Sequence, residues 1–298
     1  MLDKKISMVG VPLDLGQNRR GVDMGPSAIR YAGAFERLKL LGYDVCDHGD
    51  LTVPVPYVSA SEEDLKYLSA VVDTNRVLAA KTDRIVAAQE FPLILGGDHS
   101  IAIGSLAGIS KHYEELGVIW YDAHGDLNTA ETSLTGNIHG MPLAASLGLG
   151  HESLTAISGD TPAIKPENIV IIGARALDDA EKMLVRKSNM NVFTMHEVDR
   201  LGMSEVIRQT IGYLSHCDGI HVSLDLDGLD PIDAPGVGTP VVGGISYRES
   251  HLAMEMLHEA NRITSCEFVE VNPILDEKNK TAEAAVALMG SLFGEKLK

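Results

Sequence analysis

Six aspartates and histidines of this chain stand shortly after apolar, β-prone segments, where a strand would end and a loop begin. They fall in three motifs, Gly-Gly-Asp-His-Ser at 96–100, Asp-Ala-His-Gly-Asp at 122–126 and Asp-Leu-Asp-Gly-Leu-Asp-Pro at 225–231. The six side chains are His99, Asp122, His124, Asp126, Asp225 and Asp227. In open α/β sheets, ligands bind at the carboxyl ends of the strands. Imidazoles and carboxylates at three such ends predict a metal site.

The spacing within the motifs supports this interpretation. Asp122, His124 and Asp126 are two residues apart, as are Asp225 and Asp227, and alternate side chains of extended backbone share a face. Two histidines with four carboxylates form an oxygen-rich set that suits Mn²⁺ or Mg²⁺ better than Zn²⁺, which favours His and Cys. Alternatively, these residues are helix caps and turn formers, roles in which Asp and Gly are common. Because that alternative explains one motif better than three, we predict a site for two metal ions.

Composition indicates a compact cytoplasmic protein. Hydrophobic residues make up 45% and charged residues 22% of the 298 residues, which is typical of soluble globular chains. No apolar stretch approaches the ~20 residues that span a bilayer, and the first residues lack the apolar segment of a signal peptide. Three cysteines without framework spacing indicate reduced thiols. The net charge of −17 argues against nucleic acid as a partner and is compatible with a small cationic substrate.

Strand-like and helix-like segments alternate along the chain. We predict eight strands, at 6–11, 43–47, 91–95, 118–122, 169–172, 192–195, 220–225 and 264–270, and helices at 62–89, 181–188, 203–215, 248–262 and 281–293. Ser61 is the predicted N-cap of the first of these helices. Continuous apolar strands separated by helices indicate a sheet covered on both faces. The prediction is an α/β fold with three layers (α/β/α), a central, mostly parallel sheet and a single domain over 1–298.

The three motifs, in this order, resemble those of the ureohydrolase family, which includes arginases and agmatinases. The resemblance extends from about residue 9 to residue 273 and includes Gly-Val-Asp-Met-Gly-Pro at 21–26 and Ala-Pro-Gly-Val-Gly-Thr-Pro at 234–240. Within the family, the segments at 137–140 and 241–249 are most similar to arginases. The resemblance implies the arginase-like fold and a hydrolase that acts on linear amidines.

The reaction implied by the resemblance is the Mn²⁺-dependent hydrolysis of L-arginine to L-ornithine and urea, with two ions per chain. A hydroxide that bridges the two ions is expected to attack the guanidinium carbon. Two alternatives remain: agmatinase or another guanidino-acid amidinohydrolase, and a metal-stabilised oligomer with a regulatory, non-enzymatic role. The family commonly forms trimers or hexamers, so we expect a homo-oligomer, without nucleic-acid or membrane partners.

The resemblance also implies how the ligands are divided. One ion would be bound by His99, Asp122, Asp126 and Asp225, and the other by His124, Asp122, Asp225 and Asp227, so that Asp122 and Asp225 bridge. Asp126 is also expected to accept a hydrogen bond from the metal-bound hydroxide. His139 would carry a proton to the leaving amine, and Glu270 would pair with the guanidinium. Without the resemblance, a histidine in a Gly-rich loop and a strand-end glutamate would be interpreted as structural.

Recognition of the substrate's head group is assigned by the resemblance alone. Asn128 and Thr135 would face the α-carboxylate, and Asp178 the α-amino group, with Glu181 helping through water. Asp179 is an alternative to Asp178 because the alignment is ambiguous by one residue. Two further residues are interpreted as structural: Glu267 as an ordinary or paired strand-end glutamate, and His221 as surface or core.

Overall fold

Eight strands form one sheet in the structure, a computed structural model that describes residues 5–54 and 65–296. The strands are β1 (Ile6–Val11), β2 (Val45–Asp50), β3 (Phe91–Gly96), β4 (Leu116–Tyr121), β5 (Ile169–Ala174), β6 (Asn191–Thr194), β7 (Gly219–Asp225) and β8 (Ile263–Val269). Their order is β2-β1-β3-β8-β7-β4-β5-β6, and every neighbouring pair is parallel. The eight predicted strands are thus present, and the sheet is fully rather than mostly parallel.

Helices follow the strands, as the sequence predicted. They are α1 (Gly25–Tyr31), α2 (Ala34–Leu40), α3 (Leu68–Ala87), α4 (Ala102–Ile109), α5 (Pro142–Ser146), α6 (Glu152–Thr155), α7 (Asp179–Lys187), α8 (Met195–Leu201), α9 (Met203–Tyr213), α10 (Tyr247–Ala260) and α11 (Lys280–Leu292). Helix α3 corresponds to the helix predicted at 62–89, whose predicted N-cap Ser61 lies outside the described residues.

The sheet divides the interior into two hydrophobic cores. Successive residues of each strand point to opposite faces, so Leu93 joins one core and Ile94 the other. Helices α1, α2, α9, α10 and α11 contribute to the first core, and α3, α4 and α5 to the second. Both faces of the sheet are therefore covered, which is why its strands are apolar without alternation. The predicted three-layer α/β/α architecture is confirmed.

The strand order brings the three motifs together. Strands β3, β8, β7 and β4 are neighbours at the centre of the sheet, and three of them end at the three motifs. The first turn after β3 is tight: a Cβ on Gly97 would lie 1.8 Å from the carbonyl oxygen of Leu13. Only glycine at position 97 therefore allows the two backbones to lie this close, with the rest of the first motif following directly.

Two further expectations concern membrane-spanning helices and disulfide bonds. Among residues 5–54 and 65–296, no helix is both long and apolar enough to cross a membrane. The three cysteines are free thiols, two of them buried, so the structure contains no bridge between them.

Candidate metal centre

The first of two groups of ligand-type atoms surrounds the imidazole of His99. Its Nδ1 atom lies 3.1 Å from Oδ2 of Asp122, 3.1 Å from Oδ2 of Asp126 and 3.3 Å from Oδ2 of Asp225. These residues follow or end β3, β4 and β7, and all four are buried. The sheet therefore brings together four residues that are widely separated in sequence.

The second group lies beside the first and shares Asp122 with it. Nδ1 of His124 is 3.1 Å from Oδ2 of Asp227 and 3.4 Å from Oδ1 of Asp122. Asp122 thus directs one carboxylate oxygen to each histidine. All six predicted ligands are within these two groups. Of the two residues predicted to bridge the ions, Asp122 belongs to both groups, whereas the distances place Asp225 in the His99 group.

The spacing of two residues has a different physical basis from the one that the sequence suggested. The chain turns after β4 and β7 instead of staying extended: the amide of His124 donates to Oδ1 of Asp122 at 2.7 Å, and that of Asp227 to Oδ1 of Asp225 at 2.7 Å. Such turns are typical of aspartate. Asp126 has a φ of 52°, in the left-handed region, which is uncommon for a residue other than glycine. The aspartates are therefore turn formers and ligand candidates at once.

The donor set fits divalent cations. Nδ1 of His99 and Oδ2 of Asp122 are buried without a hydrogen-bond partner among the described residues, although each faces other polar atoms. Two clusters, His99 with Asp122 and Asp126, and Asp122 with His124 and Asp227, have ligand atoms close enough to hold one ion each. Buried charges normally require pairing or a metal. The residues present thus match two oxygen-rich cation sites.

The ionisation of these groups is strongly perturbed. Burial and the negative charge of Asp122 raise the pKa of Asp126 to about 7. Burial favours the neutral form of His124, but the charges of Asp227 and Asp122 prevail and raise its pKa to about 12. A cluster that retains protons in this way releases them when a cation takes their place.

A third histidine, His139, lies against Glu270 beside the cluster. Nδ1 of His139 is 3.2 Å from Oε1 of Glu270, and this pairing outweighs burial and raises the pKa of His139 to about 9. Oε1 of Glu270 also accepts from the amide of His99 at 2.9 Å, while Oε2 accepts from Nε2 of Gln17 at 2.9 Å. Glu270 itself has a left-handed φ of 66°. Glu270 therefore connects the loop of His139 with the loop after β3 that carries His99.

The second ring nitrogen of His99, Nε2, contacts a buried polar network that the sequence interpretation missed. Nε2 of His99 is 2.7 Å from Oγ of Ser223, which donates to Oε1 of Glu267 at 2.7 Å. His221 contacts the same carboxylate at 3.4 Å. Glu267 is fully buried within β8 and is therefore not an ordinary strand-end glutamate; the interpretation as a structural pair is the correct one of the two. A carboxylate behind a ligating histidine fixes its ring orientation.

A cavity of about 210 Å³ opens onto the two groups. Asn128, His139, Asp178 and Glu181 line it together with five of the six ligand candidates, and so does Thr239, which the sequence interpretation did not single out. The hydroxyl of Thr239 donates to Oδ2 of Asp227 at 3.0 Å. The one indication in the sequence was that Thr239 belongs to the 234–240 segment, which is part of the family resemblance.

The proposed head-group residues differ in their positions. Asp178 lines the cavity, accepts from Nδ2 of Asn128 at 2.7 Å and forms a capping box with Glu181 at the start of α7. The side chain of Asp179 is fully exposed and contacts Lys182 instead. Thr135 is exposed and is not among the residues that line the cavity; its hydroxyl accepts from the amide of Asn137. The geometry thus favours Asp178 over Asp179 and does not bring Thr135 to the cavity.

Comparison with known proteins agrees with this geometry. Residues 4–294 match the sequence model of the Arginase family. The chain belongs to the arginase family. It is 65% identical to the arginase of Bacillus subtilis (strain 168) over 296 residues, 99% of this chain and 100% of that protein. As a member of the family it is a hydrolase that acts on a guanidino group, and the predicted family and enzyme class are confirmed.

Solved arginase structures have the same fold. The native structure of arginase from Bacillus caldovelox at pH 5.6 is 66% identical, covers 99% of this chain and 100% of that chain, and gives a TM-score of 0.97. The Entamoeba histolytica arginase in complex with L-ornithine is 34% identical at a TM-score of 0.92, with coverage of 99% and 100%. A hypothetical agmatinase from Burkholderia thailandensis is more distant, at 26% identity and a TM-score of 0.73, with coverage of 98% and 85%.

Proposed function

We propose that this chain hydrolyses L-arginine to L-ornithine and urea, with two divalent cations, Mn²⁺, per chain. The observation that carries the proposal is the pair of ligand groups that share Asp122 at the centre of the sheet. His99, Asp122, Asp126 and Asp225 would hold one ion; His124, Asp122, Asp225 and Asp227 would hold the other. When bound, such a pair of cations polarises substrate and lowers the pKa of water.

The protein's own contribution begins with charge. Four aspartates balance two divalent cations, so a cationic guanidinium that enters the cavity is not repelled. Asp126 lies at the cavity surface, where its carboxylate can accept a hydrogen bond from the attacking water. Glu270 would pair with the guanidinium through its remaining acceptor capacity. His139, kept protonated by Glu270, can donate a proton to the leaving amine.

Recognition of the amino-acid head group is proposed for the other end of the cavity. Asp178 would accept the α-amino group, with Glu181 acting through water, and Asn128 would face the α-carboxylate. The hydrogen bond between Asn128 and Asp178 and the capping box of α7 fix these side chains before substrate arrives. Thr135 is proposed to face the α-carboxylate as well, from an exposed position beside the cavity-lining Asn128 loop.

The test is urea release by Mn²⁺-loaded protein, with L-arginine and agmatine compared side by side. Turnover of L-arginine with little from agmatine is expected, because a site that pairs with charged head groups rejects an analogue without them. The ornithine complex of the Entamoeba arginase supports this direction. The reverse preference would retain the two-metal site and reassign the substrate to agmatine.

Removal of the metals should destabilise the protein. Chelation followed by gel filtration is expected to lower the thermal midpoint by about 5 °C or more, because ions that bind only the folded chain stabilise it by mass action. Readdition of Mn²⁺ should restore the midpoint, and less effectively at acidic pH because protons compete for the ligands. Calorimetry with and without chelator measures both effects. An unchanged midpoint would contradict a structural contribution from bound cations.

Asp178→Asn should impair substrate binding more than chemistry. The asparagine retains a side-chain oxygen for the N-cap of α7 but loses the charge opposite the α-amino group. We expect KM for L-arginine to rise about 10- to 100-fold with a smaller change in kcat. Asp179→Asn, at the exposed neighbouring position, is the matched control and should behave as wild type. Equal KM values for the two variants would refute the assignment.

The remaining expectations about the protein in the cell are also proposals. We propose a cytoplasmic enzyme of one domain, spanning 1–298, that assembles as a homotrimer or homohexamer. The free thiols and the family match over 4–294 support the first two points. Light scattering coupled to size-exclusion chromatography tests the third.

A further inference from the structure

Arg175, at the end of β5, binds the backbone around Asp227 through its guanidinium. Nη2 donates to the carbonyl oxygens of Asp227 at 2.7 Å and Leu229 at 3.1 Å, and Nη1 to that of Gly228 at 3.1 Å. Three consecutive carbonyls of the third motif thus converge on one side chain. The same guanidinium also reaches the carbonyl of Val241 through Nη2 at 2.8 Å.

The main chain of Arg175 is attached to the second motif. Its amide donates to the carbonyl of Ala123 at 2.9 Å, and the amide of Ala176 donates to the same oxygen at 3.0 Å. Ala123 lies between Asp122 and His124 and donates its own amide to Oδ1 of Asp227 at 3.2 Å. Arg175 therefore connects, through one residue, the two loops that carry Asp122, His124 and Asp227.

The contact is selective for one half of the centre. Among the described residues, Arg175 donates to carbonyls of the second and third motifs and to those of Val241 and Gly173, but to none of the first motif, whereas Nε2 of His99 contacts Ser223 and, through it, Glu267. The guanidinium is half-buried and packs closely: a Cβ on Gly244 would lie 2.6 Å from its Nη2. A planar, forked donor satisfies several carbonyls at once in a way that a lysine ammonium does not.

We propose that Arg175 is a positioning residue that holds Asp227 and the 122–124 loop in the arrangement needed to bind the second cation. The proposal rests on the two-cation function proposed above and adds a residue outside the ligand set. Loss of the guanidinium frees the carbonyls at 227–229, so the turn that carries Asp227 relaxes while the His99 group keeps its supports. Residues that orient metal ligands typically contribute about 10- to 100-fold to metal affinity.

The test is titration of metal-free protein with Mn²⁺ alone, by calorimetry and by metal analysis after gel filtration. Arg175→Met is expected to bind one ion as wild type does and the second about 10- to 100-fold more weakly. Arg175→Lys, which keeps the charge, should show the same defect. If Arg175→Met fails to fold, Arg175→Lys carries the comparison. Binding of both ions with wild-type affinity in these variants would overturn the proposal.

Arg262 offers a matched control because it binds backbone carbonyls at the opposite end of β7. Its guanidinium donates to the carbonyl of Ser215 at 3.0 Å and to that of Cys217, just before the strand begins. Arg262→Met removes similar hydrogen bonds far from the ligands and should leave Mn²⁺ binding unchanged. An equal loss of the second ion in Arg262→Met would show general destabilisation and overturn the proposal.

A double-variant cycle separates positioning from structure. If Arg175 acts through Asp227, then Arg175→Met should change the affinity of the second Mn²⁺ little when Asp227 is already asparagine, a weaker oxygen ligand whose binding of that ion can still be measured. Additive losses in the double variant would overturn the proposed route. This measurement does not require turnover. If wild-type protein released no urea from L-arginine, the proposed function would fail, but the Mn²⁺ affinities of the Arg175 variants relative to wild type would still decide the role of Arg175.

Discussion

Asp122→Ala should remove both cation sites at once and lower kcat at least about 10³-fold, equivalent to about 4 kcal/mol of transition-state stabilisation. The reason is geometric: Oδ2 of Asp122 faces His99 at 3.1 Å, and Oδ1 faces His124 at 3.4 Å. Asp122 is the side chain that both ligand clusters found among the described residues contain, whereas Asp225, the other proposed bridging residue, contacts the His99 group. Metal analysis and urea release on the same preparation measure the two effects together.

Asp227→Ala provides the comparison for this prediction. Asp227 contacts His124 but is not part of the His99 cluster, so its loss should cost one cation and leave the other in place. The two variants should therefore differ in metal content, with Asp122→Ala holding fewer than one ion per chain. If Asp122→Ala retained both ions, a site in which Asp122 is shared would be wrong.

The placement of the six candidate ligands at strand ends was predictable because local sequence indicates where strands end. An apolar, β-branched segment followed by Asp or His specifies where a strand stops and which side chain follows. The order β3-β8-β7-β4, which makes these ends neighbours, is a long-range property that no local pattern contains. The resemblance to the ureohydrolase family indicated that the six candidate ligands lie close together. The left-handed backbone of Asp126 and Glu270 had no sequence signal, since neither residue is glycine.

Residues that act through other residues were the ones missed. Glu267 sits within the apolar β8 strand, and its role becomes visible only when Ser223 of the neighbouring β7 is placed between it and His99. Arg175 follows β5, yet the carbonyls at 227–229 that its guanidinium binds lie more than fifty residues later in the chain. Such contacts depend on the packing of distant loops. Sequence patterns identify groups that could bind a cation, but not the groups that hold them still.

Glu270→Gln should abolish most activity while both cations stay bound. Glutamine keeps the shape of the side chain, but it removes the negative charge that His139 contacts at 3.2 Å and that the substrate's guanidinium would meet. Losing a buried charged partner of this kind costs about 2–5 kcal/mol, so kcat/KM should fall about 10²- to 10³-fold or more. Urea release and Mn²⁺ content, determined together, measure the result.

Retention of the metals distinguishes this variant from every ligand variant. Glu270 lies between the cluster and His139, and its contact with the first ligand loop is a hydrogen bond from the amide of His99, which a glutamine oxygen can also accept. Glu277→Gln, at an exposed carboxylate seven positions further along the chain, is the control and should keep wild-type turnover. Loss of Mn²⁺ from Glu270→Gln would make Glu270 a support of the metal loop. Wild-type turnover in Glu270→Gln would contradict the proposed role of Glu270, because the variant lacks the charge that is proposed to pair with the guanidinium and His139.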